Sequence, residues 1–233
     1  MSNANLGWLF YKDYYTAIED WNNPKRYEEK IKEKVDEIIE KKITLQKNTP
    51  LGNTHFQAAT TYPGLILGSG YTHELPSLVG QAILGFDFDY TTGLPIIRGS
   101  SIKGALRSAF KHWEYITSIS SLKTQEEVKE LETEIFEGKD IFFDATIIKT
   151  DSKNKILADD YLAPHSDNPL KNPVPLRFIK IAPNVTFRFD FELHDGLISK
   201  KAKSKLFQTI LEDLGLGAKT NVGYGKFINI KEI

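Results

Sequence analysis

The segment Val185–Leu193 reads VTFRFDFEL and constrains the fold more than any other stretch of the chain. Val185, Phe187, Phe189, Phe191 and Leu193 point one way. Thr186, Arg188, Asp190 and Glu192 point the other. A period of two is that of a β-strand, whose successive side chains project to opposite faces of the pleat. The phenylalanine face must be buried against something apolar. The next segment supplies it: Lys200 to Leu214 has helical spacing, with Leu206, Phe207, Ile210, Leu211 and Leu214 on one side. A glycine-rich loop and a last strand, Lys226–Ile233, complete a strand–helix–strand unit.

The upstream half repeats the plan. Turn residues between 55 and 97 (Pro63-Gly64, Gly68-Ser69-Gly70, Gly80, Gly85, Thr92-Gly93) leave room for short strands such as Gly64–Leu67 and Ala82–Phe88. Ser101 to about Tyr115 reads as a helix, Ile141–Lys149 as a strand and Pro175–Ile181 as a short strand. Gln125–Asp140, with 7 acids against 2 lysines, reads as a surface helix or loop. The order β-α-β-β-α-β predicts an α+β, ferredoxin-like (RRM-like) sheet, a plan whose RRM members use sheet and loops on RNA. Residues 150–174 form a polar excursion long enough to mark a functional or disordered loop.

Before this core stand two further segments. Residues 1–23 carry Trp8, Phe10, Tyr11, Tyr14, Tyr15 and Trp21, more rings than a free tail would hold. Pro24 suits a helix start, and Tyr27, Ile31, Val35, Ile38, Ile39 and Ile43 make the stripe of an amphipathic helix over Lys25–Lys47. The chain therefore divides into residues 1–50, an aromatic segment plus amphipathic helix packed on the core, and residues 51–233, the sheet domain with its long insertion near 150–174.

Composition narrows the functional classes. Lys+Arg is 30 and Asp+Glu 31, for a net charge of −1, so any polyanion site is a local patch rather than a general positive surface. The absence of cysteine removes disulfides, thiolate metal sites and cysteine nucleophiles. No apolar run approaches the roughly 18 residues of a membrane span. The start MSNANLGWLFYKDYY lacks a basic region followed by an apolar core, which predicts a cytoplasmic protein without membrane contact.

Two glycine-bearing motifs carry the chemistry. In the first, GLPIIRGSSIKGALR (residues 93–107), a short strand ends at Gly99 and Ser100 or Ser101 stands where a helix N-cap would. Lys103, Arg107 and Lys111 form a basic stripe opposite the apolar Ile102, Leu106, Ala109, Phe110 and Trp113. Between Tyr90 and Trp113 there is no acid, against four basic residues, so the helix start is a candidate anion site. Gly104 weakens the first turn by roughly 1 kcal/mol, which close approach of another backbone would offset. An ordinary capped helix with solvated lysines is the alternative.

The second motif is GLGAKTNVGYGKF (residues 215–227), with four glycines in eleven residues. It is not a Walker loop: no glycine directly precedes Lys219, and the segment runs from helix to strand rather than from strand to helix. Exposed N–H groups with Lys219, Thr220, Asn221, Tyr224 and Lys226 suit phosphate contacts and base stacking. A tight connection needing positive φ at its glycines is the alternative.

On these two motifs and the short Pro-Leu-Arg-Phe strand (residues 175–178), residues 55–233 resemble the RAMP superfamily of CRISPR-associated proteins. Within it they are most like the sixth-subunit family of the Cmr (type III-B) effector complex. Arg98 departs from the proline found there in many relatives. The resemblance implies a noncatalytic RNA-binding subunit near the head of the complex. It would contact the 3′ part of the CRISPR RNA, the guide–target duplex with its target RNA, and other Cmr subunits, the backbone RAMP subunits above all. The RNA-contacting residues so implied are Arg98, Ser100, Ser101, Lys103, Arg107, Lys219, Thr220, Asn221, Tyr224 and Lys226, with no catalytic residue, metal or cofactor. The competing reading is a RAMP-type ribonuclease. For that, His73 is the best-placed base, and Asp159, Asp160 and His165 match no strong ligand spacing.

Overall fold

The structure is a computed structural model that describes residues 5–70, 85–162 and 175–233. Helix α1 (Leu6–Tyr11) leads through a 3₁₀ turn and a second one started by Pro24 into α2 (Glu28–Glu40). The periodic stripe is met by burial of Ile31, Ile38 and Ile39, but the helix ends at Glu40 rather than near Lys47, and residues 41–50 run without regular structure. The N-terminal rings dock on the chain's own core: Phe10 packs against Phe86 and Phe88 at 5.5 and 5.0 Å.

Strands β1 (Thr54–Thr60), β2 (Asp87–Phe88) and β3 (Pro95–Ile96) precede helices α3 (Gly99–Ala109), α4 (Trp113–Ile119) and α5 (Gln125–Glu137). Then come β4 (Ile141–Phe142), β5 (Thr146–Lys149), β6 (Leu157–Leu162), β7 (Leu176–Ile181) and β8 (Thr186–Glu192). Helix α6 (Lys200–Leu214) and strand β9 (Phe227–Glu232) close the chain. The main sheet runs β4-β8-β1-β9, with β5 also on β8, and all of its pairings are antiparallel. Strands β2 and β3 form one small hairpin, β6 and β7 another. The fold is thus mixed α/β with antiparallel sheets.

The phenylalanine face is buried as its alternation requires: Phe187, Phe189 and Phe191 are inaccessible, Phe56 of β1 stacks on Phe189 at 5.2 Å, and Phe207 of α6 closes on Phe191 at 5.5 Å. The opposite face departs from expectation. Thr186, Arg188 and Asp190 are buried too. Residues 48–51 cross over them: the Arg188 guanidinium donates to the carbonyls of Asn48 (2.8 Å) and Thr49 (3.1 Å), and Leu51 N–H donates to Asp190 Oδ2 (3.3 Å). Arg188 also donates to both Asp190 oxygens at 3.0 Å, and His55 Nδ1 lies 3.0 Å from Oδ1. A buried pair is tolerated only when its remaining groups are satisfied, and here the strap satisfies them. This part of the sheet face is therefore closed by the chain itself.

Other expectations need correction. The helix from Ser101 breaks after Ala109, because the N–H groups of Phe110, Lys111 and His112 turn to carbonyls three residues back. The tightened turn sets Phe110 edge-on against Phe136 at 5.2 Å. Strand 141–149 is split at residues 143–145. Leu214 is 40% exposed rather than inward. Part of the 150–174 excursion is not a loop: Leu157–Leu162 is strand β6, paired with β7 in continuous register. Residues 163–174, with His165, lie outside the described residues, as does His73. The acidic stretch is the helix α5, started by a Thr124/Glu127 capping box, and its inner face buries Val128, Leu131, Ile135 and Phe136.

Candidate RNA interface

The two glycine motifs meet. A cleft of about 390 Å³ is lined by Leu67–Ser69, by Ile97, Ser101 and Ala105 of the first motif, and by Leu216–Ala218 of the second. Backbone bonds close its floor: Ala218 N–H donates to Ile66 O and Gly225 N–H to Gly64 O, both at 2.8 Å. Leu216 N–H donates to Gly225 O (2.9 Å) and draws the neck of the C-terminal loop together. Gly215, Gly217, Gly223 and Gly225 all have positive φ (76°, 93°, 97°, 69°), so every glycine of this motif has a conformational reason to be there. Lys219 follows Ala218 in the left-handed region (φ 59°), uncommon for a side-chain-bearing residue and open to solvent.

The basic stripe of α3 does not face this cleft. Ser101 and Ala105, one turn apart, line it; Lys103 and Arg107 lie on another side of the helix, toward β4 and α5. Lys103 Nζ sits 5.7 Å from the centre of the Phe142 ring. Arg107 donates to Glu132 (2.8 Å) and Glu137 (2.6 Å), which hold its guanidinium protonated more firmly than usual. Arg98 is paired with Asp87 and Asp144, both at 3.2 Å. The sequence offers no acid near these arginines; the fold brings them from 11, 25, 30 and 46 residues away.

The helix start is also occupied. Neither Ser100 nor Ser101 caps it; helix α3 begins at Gly99 after Arg98, with no side-chain cap from its own segment. Instead Gly99 N–H donates to Asp144 Oδ1 at 2.7 Å. The break between β4 and β5 turns Asp144 toward this end, where a carboxylate is favoured by the helix dipole. Gly104 is exposed, and a Cβ there would meet nothing within 4 Å, so no backbone of the described residues approaches it.

In the second motif, Tyr224 is buried and Lys226 is used internally. The Tyr224 hydroxyl donates to Asp160 Oδ2 at 2.6 Å, and Lys180 binds the same carboxylate while lying 5.5 Å from the Tyr224 ring. Burial, then Asp160, push the Tyr224 hydroxyl well above its ordinary range. Burial pulls Asp160 upward, but the bonds from Lys180 and Tyr224 outweigh it and leave the carboxyl below its usual value. Lys226 Nζ donates to Asp213 O at 2.5 Å. Asp159 is paired with Arg177 (2.9 Å). Ser101 lies in the cleft lining, Ser100 precedes it, and Lys219, Thr220 and Asn221 follow the lining residue Ala218; none of the five side chains has a hydrogen-bond partner among the described residues. Among those residues no group of three or more His, Asp or Glu could hold a metal ion. No helix there is long and apolar enough to cross a membrane.

The RAMP superfamily model matches residues 57–228, a span that includes both motifs. The chain belongs to the RAMP superfamily. This RAMP protein is 32% identical over 133 residues to the CRISPR system Cmr subunit Cmr6 of Pyrococcus furiosus. The match covers 49% of this chain and 39% of that one, so the chain spans about two-fifths of the length of the curated relative. It is also similar to a chain in the cryo-EM structure of the type III-B Cmr-beta bound to cognate target RNA. The TM-score is 0.58 and the identity 25%, over 95% of this chain and 81% of that one.

Proposed function

We propose that this RAMP protein is a noncatalytic RNA-binding subunit of a type III-B CRISPR (Cmr) ribonucleoprotein. It contacts the 3′ part of the CRISPR RNA and the guide–target duplex beside the backbone subunits. One observation carries the reading: two distant glycine motifs line a single cleft that holds Ser101, with the open side chains of Lys219, Thr220 and Asn221 following its lining residue Ala218 and Ser100 preceding Ser101. One cation with hydroxyl, amide and backbone donors suits a ribose-phosphate strand, bound without regard to base sequence. The Cmr6 and Cmr-beta likenesses support the assembly assigned. The sheet order supports a ferredoxin-like plan: with β4/β5 as the second strand, the four principal strands lie fourth–first–third–second. The division into residues 1–50 and 51–233 belongs to the same reading. Arg98, Lys103, Arg107, Tyr224 and Lys226 act in it as supports of the cleft, since their charged or polar ends already meet other groups of the chain.

The near-neutral net charge fits a subunit that grips RNA together with neighbours. The test is binding of single-stranded RNA to the chain and to its Lys219→Ala/Thr220→Ala/Asn221→Ala variant, with and without Mg²⁺. The expected result is salt-dependent binding that the triple variant weakens, with the RNA intact. Cleavage that disappears in a His73→Ala variant would favour the ribonuclease reading instead.

A further inference from the structure

The cleft is the wrong chemistry for a phosphate. Its walls are aliphatic, from Leu67, Ile97, Ala105 and Leu216, and no charged side chain of the described residues lines it. An anion moved into such surroundings loses hydration that nothing there replaces. A nucleobase loses little: its faces are apolar, and its edge needs only a few donors and acceptors. The cleft offers those in the hydroxyl of Ser101, which has no partner among the described residues, and that of Ser69. Its volume of about 390 Å³ lies near the lower end of small-ligand pockets, which run from about 300 to 1,000 Å³. An open cation, Lys219, stands one residue beyond the lining residue Ala218 and is not among the lining residues.

We infer that the cleft receives one unstacked base of a bound RNA strand, between Leu67/Leu216 and Ile97/Ala105, while the flanking phosphate rests on Lys219 outside. The inference rests on the RNA reading above and divides that reading into an inner site for the base and an outer site for the backbone. Unpaired bases are the form in which RNA presents faces and edges to a protein.

The experiment compares a uridine nonamer with a fully abasic nonamer of equal length and charge, titrated against the 233-residue chain and three variants. Ala105→Phe and Ser101→Leu fill the cleft from two positions, and Lys219→Ala removes the outer cation; thermal melts show which variants are folded. The unaltered chain binds the uridine nonamer about tenfold more tightly than the abasic one, the scale of one base contact. Either filling variant reduces uridine binding to the abasic level or below; Ala105→Phe leaves abasic binding unchanged, whereas Lys219→Ala weakens both oligomers alike. Equal affinity of the unaltered chain for the two nonamers overturns the base site. If Lys219→Ala still weakens both in that case, the backbone reading stands without it. Binding of neither nonamer overturns the inference and the RNA reading together.

Discussion

Lys219 and Arg107 carry the same charge in motifs that look equally basic, and the fold gives them opposite fates. Arg107 is held by Glu132 and Glu137; Lys219 meets no acid among the described residues. Salt dependence of binding separates them, because each neutralised phosphate of a single strand contributes roughly 0.7 to the slope of log affinity against log salt. Lys219→Ala is expected to flatten that slope by about this amount, and Arg107→Ala to leave it unchanged. Residue types and their spacing in each motif were legible in the sequence. Their pairing was not, since Asp144, Glu132 and Glu137 enter from later elements whose placement depends on packing. The same applies to Tyr224: a tyrosine in a glycine loop suggested an exposed stacking ring, but contact with Phe178 at 6.2 Å and the bond to Asp160 turn it inward.

At the scale of elements, α3 begins correctly only because β4 and β5 are interrupted. Asp144→Ala removes the acceptor of Gly99 N–H and one partner of Arg98; a loss of about 1 kcal/mol in stability, typical of a missing N-cap, is expected in denaturant titration. Asn at the same position should recover most of it. The C-terminal loop is tied to the β6–β7 hairpin through Asp160, whose folded pKa lies below its ordinary 3.8. A depressed carboxyl stabilises the fold fully above its unfolded pKa and loses that contribution as pH falls through the folded one. The bond between loop and hairpin is thus intact at pH 5 and above and weakens below pH 3.8, and an Asp160→Asn variant should lack that acid-dependent part of stability. Strand β8 and helix α6 were readable because their periods are strict. Strand β6 was not: LADDYL has acids at its centre, and only pairing of Asp159 with Arg177 and Asp160 with Lys180 makes it a strand.

Across the whole molecule, helices α5 and α6 are joined by a cation with no exposure to speak of. Lys203 is 1% accessible and reaches Asp140 (2.8 Å) and Glu134 (2.7 Å); burial lowers its pKa, but the two carboxylates win and raise it. Lys203→Ala leaves Asp140, itself 2% exposed, without its lysine counter-ion. Such a loss typically costs about 3–5 kcal/mol, measurable as a lower denaturation midpoint. The acidic helix that sequence alone assigns to the solvent side is therefore the counter-charge of the molecule's own basic residues. Those charges and the Arg188 face of the sheet are closed internally, and the cleft between the glycine motifs is the surface proposed for RNA. Photocrosslinking tests that most directly: 4-thiouridine RNA is bound to the full chain, irradiated, and the attached peptides are identified by mass spectrometry. The account predicts crosslinks within residues 65–69, 97–105 and 215–222. Crosslinks concentrated on α5 or on the strap at residues 48–51, with none at the cleft, would contradict it.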